Sequence, residues 1–322
     1  MKKIILIYTL VSLAAAASAQ TEKQLVPSDL KQLTIVTEPA TLYKGFFRAG
    51  MSYSYSAIDK IFDSEAKKTY LPYNIWGSAS WYSVFLEYGI TDRLMVDVDI
   101  EFTNTLRVSY NRVLYPELNI NRVFSASNRG RGLGDCGLVV KYQIIPEREN
   151  KSSLTGNLTL TVPTGKKNPT NIISATEYDL PTGDGYLSTL FELRYKKISY
   201  PFSWSGYASY EHKFKGSILL NATDVTETVI KDGDGINCGA LLSFHLNEWI
   251  ALKNNIDFLR LGKSVKEGKP EYDIDPQWLL SYQSLLVFQV KQFRIGEGIM
   301  IPIKGKSTGS DPMLILLTQY IF

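Results

Sequence analysis

Leu314-Ile315-Leu316-Leu317-Thr318-Gln319-Tyr320-Ile321-Phe322 closes the chain, and its reading decides the fold. Read as a strand, it is apolar on both faces. Leu314, Leu316, Tyr320 and Phe322 share one face; Ile315, Leu317 and Ile321, with Met313 before them, share the other. At the rim of a soluble sheet such a strand would leave an unpaired, apolar edge. A sheet closed on itself in lipid has no edge and gives one face to hydrocarbon. The segment therefore predicts the last strand of a transmembrane antiparallel β-barrel, paired with the first.

The opposite end agrees. Met1-Lys2-Lys3 is a basic start, Ile4 to Leu13 is an apolar run too short to span a bilayer, and Ala17-Ser18-Ala19 is a small-residue cleavage site. Residues 1–19 read as a cleaved signal peptide, which predicts export. Residues 20–43, with Pro27 and Pro39, read as a periplasmic N-terminal segment, either a loose lead or a piece folded into the barrel mouth. Residues 44–322 read as the barrel.

Composition fits. The formal charge of +3 falls to +1 without Lys2 and Lys3, so no bulk attraction to nucleic acid is implied. Tyr (20), Phe (14), Trp (5) and Gly (23) are plentiful, as expected where half of each strand faces lipid and half a polar lumen. Cys136 and Cys238 fall on the apolar phase of strands that are not neighbours, which predicts two unpaired thiols.

Period-two alternation recurs twelve times, at roughly 45–58, 75–90, 93–106, 133–145, 153–163, 185–197, 203–215, 236–246, 249–262, 277–290, 293–303 and 313–322. Fourteen strands result if 107–132 or 30–42 adds a pair. The connections alternate short and long, as periplasmic turns and outer loops do. Val96, Val98, Ile100 and Phe102 oppose Asp97, Asp99 and Glu101. A soluble sandwich alternates likewise, but its core would not carry so many carboxylates. Glu297 shares the apolar phase of Phe293, Ile295, Ile299 and Ile301, so it faces lipid unless a bulge at Gly296 or Gly298 turns it inward.

The inward phase collects charges of both signs: Arg48, Glu87, Asp97, Asp99, Glu101, Lys141, Glu192, Arg194, Glu211, Lys213, Lys253, Asp257 and Arg294. They predict a lumen charge network that braces the barrel, selects solutes, or both. The loop 107–132 carries Arg107, Arg112, Arg122, Arg129 and Arg131. These arginines either fold into the pore toward Asp97, Asp99 and Glu101 or meet lipopolysaccharide phosphates at the rim. No catalytic site is expected. Neither His212 nor His245 has a serine at a nucleophile–base spacing in sequence, and histidines and cysteines are too few for a metal centre. Asp232-Gly233-Asp234-Gly235 reads as a turn. No cofactor and no nucleic-acid partner are predicted.

Two segments carry a family resemblance. Gly132-Leu133-Gly134-Asp135-Cys136 leading to Lys141-Tyr142, and Leu160-Thr161-Val162-Pro163-Thr164-Gly165, resemble the GxGD strand and the P-T-G strand end of outer-membrane barrels of the meta-pathway phenol-degradation transporter family, which is similar in turn to long-chain fatty acid transporters. Gly183-Asp184-Gly185 matches the glycine-rich approach to the next strand. The last strand also resembles the outer-membrane barrel ending, with Tyr320 and Phe322 as the aromatic signal for the barrel-assembly machinery; Thr318 departs from it. The resemblance implies passage of small hydrophobic molecules. The reading from the residues is a monomer among outer-membrane lipids and lipopolysaccharide, with passive transport as its function. The competing expectation is a plugged barrel that serves as a structural or partner-binding surface protein.

Overall fold

The structure, a computed structural model, describes residues 41–71, 76–115, 120–146, 152–174, 177–219, 224–247, 249–268, 270 and 274–322. Residues 1–19 and all of 20–43 but the last three lie outside this set. Side chains 58, 104–127 and 173–177 also lie outside it.

Twelve long strands form the wall: β1 Phe47–Ile58, β2 Trp76–Gly89, β3 Leu94–Tyr115, β4 Ile120–Ile145, β5 Ser152–Val162, β6 Ser188–Ser199, β7 Phe202–Lys213, β8 Gly235–His245, β9 Ile250–Leu261, β10 Gln277–Val290, β11 Phe293–Lys306 and β12 Met313–Ile321. Each pairs antiparallel with its neighbours in sequence, and β12 returns to β1 through Arg48↔Ile321 to Ser56↔Met313. The sheet is therefore closed, and its backbone groups are satisfied within it, as hydrocarbon requires. Two further short strands, Thr170–Ser174 and Glu177–Asp179, join the sheet beside β4.

The apolar phase points outward. Leu158, Phe191, Ile236 and Ile256 are exposed on the wall, which is what a belt in lipid looks like. Phe322 (65%) and Tyr320 (40%) are exposed at the short-turn end. Thr318 sits on the same face with its hydroxyl donating to the Met51 carbonyl at 3.4 Å. The cysteines are free, Cys136 on β4 and Cys238 on β8.

Two expectations change. The stretch 107–132 is not a loop: β3 and β4 keep pairing to Tyr115↔Ile120. A strand needs about 9–11 residues to cross the bilayer, so half of this hairpin projects beyond it. Val108, Tyr110, Val113 and Val123 are strand formers, a signal that the arginines obscured. Glu297 has no bulge to rescue it. The register runs unbroken past it, Glu297 opposite Leu286 and Leu316, so its carboxylate shares the lipid-facing phase.

Candidate functional site: the lumen and its mouth

All the predicted lumen charges fall on inward-facing positions, but they form separate clusters rather than one network. At the short-turn end the Arg48 guanidinium donates to Glu87, and both are buried. Lys141 Nζ donates to the other Glu87 oxygen at 3.2 Å and lies 3.7 Å from Asp97. Arg294 donates to Gln319 at 3.0 Å and to Gln289 at 3.4 Å. Lys253 is buried at the same level on β9. Leu42, fully buried with its N–H 3.3 Å from the Met95 sulfur, lies against this floor. Gly89 permits that approach, because a Cβ there would stand 2.0 Å from the Tyr43 carbonyl oxygen.

One level higher, Glu192 accepts from Asn157 and from Arg194, each at 2.9 Å. Arg194 stacks 4.6 Å over the Tyr207 ring. Ser83 donates to Asp99, and Asn255 to Asp257. Glu101, although it faces inward, is exposed, so the lumen is solvated at its height. Lys213 lies 4.0 Å from Glu211 and 5.6 Å over the Tyr186 ring. A cavity of about 370 Å³ opens along this side, lined among others by Asp97, Lys141, Asn157, Glu192, Arg194 and Lys253.

The facing wall is apolar. Leu285 and Val287 of β10, Met300 of β11 and Met313, Ile315 and Leu317 of β12 all point inward by register, with Val287 fully buried. The lumen thus has one charged wall and one greasy wall.

The long-loop mouth is built around Asp135. A register shift in β3–β4 pairing at Ile100/Phe102 spans Gly134 and Asp135, and the resulting bulge sets Asp135 inward while Cys136 stays outward. Two P-T-G stretches, 163–165 and 181–183, converge on it. Asp135 accepts from the Gly165 N–H at 3.0 Å with one oxygen and from the Asp184 N–H at 2.9 Å with the other. Thr164 donates to the Gly134 carbonyl at 2.8 Å and Thr182 to the Leu133 carbonyl at 2.6 Å. The two loop stretches must touch as glycines: a Cβ on Gly183 would meet Asp135 Oδ1 at 2.4 Å and the Gly165 Cα at 2.8 Å. The β5–β6 loop is therefore pinned over the mouth by one carboxylate.

Neighbouring loops add charge there. Asp232 accepts from Ser264 and lies 3.6 Å from Lys266. Burial raises its carboxyl, but the Ser264 and Tyr186 donors and Lys266 outweigh it and hold it below the usual range. Asp184 is pushed up, by burial and then by the Asp135 charge, and burial beside Asp184 and Asp232 raises the Tyr186 phenol. Asp234 accepts from Tyr210 at 2.6 Å and lies 3.1 Å from His212. The 232–235 carboxylates are thus occupied by the protein's own donors. Among the described residues no three His, Cys, Asp or Glu side chains are grouped to hold a metal.

The predicted loop arginines are dispersed. Arg129 and Arg131 are exposed and share the phase of lipid-facing Leu133, so they point away from Asp97, Asp99 and Glu101 rather than into the pore. Arg112 and Arg122 lie in the projecting hairpin, with side chains outside the described set. One pairing was invisible to sequence spacing: Ser203 Oγ and His245 Nε2 are 3.1 Å apart on β7 and β8, both buried. Residues 42 positions apart become neighbours only through the register Ser203↔Ser243.

No family model and no curated relative matches the chain. Solved structures do. An outer membrane channel from Pseudomonas putida F1 superposes over 93% of this chain and 100% of its own, with a TM-score of 0.66 at 13% identity. The fold is that of an outer-membrane β-barrel. The TodX monoaromatic hydrocarbon channel, as a deletion mutant, follows at a TM-score of 0.47 and 9% identity over 86% of this chain and 90% of its own. The KdgM porin follows at 0.43 and 7%, over 84% and 98%.

Proposed function

We propose that this barrel is a passive outer-membrane channel for small molecules, hydrophobic ones included. The observation that carries the reading is the cavity of about 370 Å³ inside the lumen, within the range of small-molecule sites. The apolar wall of Leu285, Met300, Ile315 and Leu317 supports passage of hydrophobic groups. In this reading residues 1–19 are a cleaved signal peptide. Tyr320 and Phe322 serve the barrel-assembly machinery, and a monomer sits among outer-membrane lipids and lipopolysaccharide with no cofactor and no catalytic role. Arg129 and Arg131, exposed on the outer face, suit lipopolysaccharide phosphates.

Planar-bilayer recording and liposome swelling with the purified barrel test it. Discrete openings and swelling with small solutes are the expected outcome. If neither occurs at any voltage, a plugged surface barrel replaces the channel.

A further inference from the structure

The lumen charges are sorted by height. At the short-turn level stand Arg48, Lys196, Lys253 and Arg294, against Glu87 and Asp97. These positions lie within a few residues of the short-turn ends of β1, β2, β3, β6, β9 and β11, and Arg48, Lys253 and Arg294 are buried. Lys141 joins the floor group by bridging Glu87 and Asp97, and one level higher Arg194 pairs with Glu192, so the signs interleave between the zones. Above that, carboxylates prevail. Asp99, Glu101 and Asp257 line the wall, and Asp135, Asp184, Glu211 and Asp232 ring the mouth; Lys213 and Lys266 are the cations set among the mouth group. Asp135 draws Asp184 into this ring by accepting its N–H.

The two zones are electrically distinct. Lys253 and Asp257 lie four positions apart on β9, about 13 Å of strand rise. The screening length is about 10 Å at 0.1 M salt and about 3 Å at 1 M. At low salt each zone therefore sets its own local ion population. The acidic mouth gathers cations, and the basic floor gathers anions. A monovalent cation that enters from outside meets a barrier at the floor, and an anion that enters from the periplasm meets one at the mouth. A solute with no net charge and one charge of each sign meets neither.

Resting on the channel reading, we propose that the lumen is a two-zone charge filter. It favours small zwitterions, their apolar portions against the β10–β12 wall, over ions of either single sign. The same arrangement must rectify. With the outer side positive, cations are driven in through the zone that enriches them and anions through theirs. With the opposite polarity both are drawn away and the pore is depleted.

Single-channel recording of the full barrel tests this. Orientation is assigned by streptavidin on biotinylated Val225→Cys, an exposed outer-loop position, in a Cys136→Ala/Cys238→Ala background. At 0.1 M potassium chloride the current is expected to be about twofold or more larger with the outer side positive, and to become symmetric at 1 M. Glu101→Gln/Asp184→Asn/Glu211→Gln should remove the asymmetry at low salt, and heat-modifiable migration reports whether that variant is folded. The wild-type salt comparison stands without it. In liposome swelling, β-alanine should enter severalfold faster than propionate or propylammonium, which match it in size. Ohmic channels at 0.1 M, or a single-sign ion entering fastest, overturn the filter and leave the channel standing. Absence of both openings and swelling overturns the channel reading and the filter with it.

Discussion

The two ends of the lumen are built by different means. The floor is made of side chains on adjacent strands: Arg48 opposite Glu87, and Arg294 opposite Gln289 and Gln319, each set by direct cross-strand register. The mouth is made of loops that return over the sheet. There Asp135 holds residues 30 and 49 positions away, and Glu227 holds Lys167 and Asn168 at 2.7 and 2.6 Å, 60 and 59 positions away. At the floor a strand ladder sets the backbone, and buried side-chain pairs are built on it. Among the described residues the β5–β6 and β7–β8 loops at the mouth have only short ladders, so individual polar groups decide their shape.

The comparison breaks most visibly at the floor. Glu87→Ala leaves Arg48 and Lys141 without their shared carboxylate in a buried site, and loss of one partner of a buried pair costs about 3–5 kcal/mol. Urea unfolding in lipid vesicles should show a drop of that size, with partial recovery in Arg48→Ala/Glu87→Ala. A loss below about 1 kcal/mol would mean that the ladder alone sets the floor.

Asp135→Ala is the matching change at the mouth. Each hydrogen bond to a charged group is worth about 1.5–3 kcal/mol, but the loss here is local, since the bonds hold a loop. The expected result is an unchanged global unfolding transition together with new tryptic cleavage at Lys166 and Lys167. Protection that stays at the wild-type level would show that Thr164 and Thr182 suffice. Gly183→Ala should act in the same direction and more weakly, by about 1–3 kcal/mol. Its methyl group would press on Asp135 and the Gly165 backbone, and Asp135→Ala should relieve part of that strain.

The same contrast explains what the sequence disclosed. Strand count, closure of β12 on β1, and the inward placement of Glu87, Asp97, Glu192, Lys253 and Arg294 follow from alternation, because a period of two assigns every side chain to a face. Which inward charges meet depends on register, and alternation is silent on that; hence Ser203 and His245 looked unrelated. The hairpin 107–132 resembles a loop in sequence because a strand that leaves the membrane no longer alternates apolar with polar. At the mouth, Gly134-Asp135 and both P-T-G stretches stand plainly in the sequence. Only the fold shows that the second repeats the first around a single carboxylate.

The smallest effect belongs to pH. Glu227 is held down to about 2 by hydrogen bonds from Lys167, Ser217 and Asn168. The usual value for a glutamate is about 4.3. A carboxyl lowered on folding contributes its stabilisation in full above its unfolded value and loses it as pH falls through the folded one. The tie between the β5–β6 and β7–β8 loops should therefore be constant from pH 7 to about 5 and weaken progressively toward pH 2. Because the group is solvent-exposed, screening keeps the effect small, and it should register only as faster hydrogen exchange over residues 216–231, corrected for intrinsic rates. Glu227→Gln should show the acid-type exchange already at pH 7. If exchange in 216–231 instead rises between pH 7 and 5, Glu227 is not what joins these loops, and the groups raised by burial around Asp184 become the controlling ones.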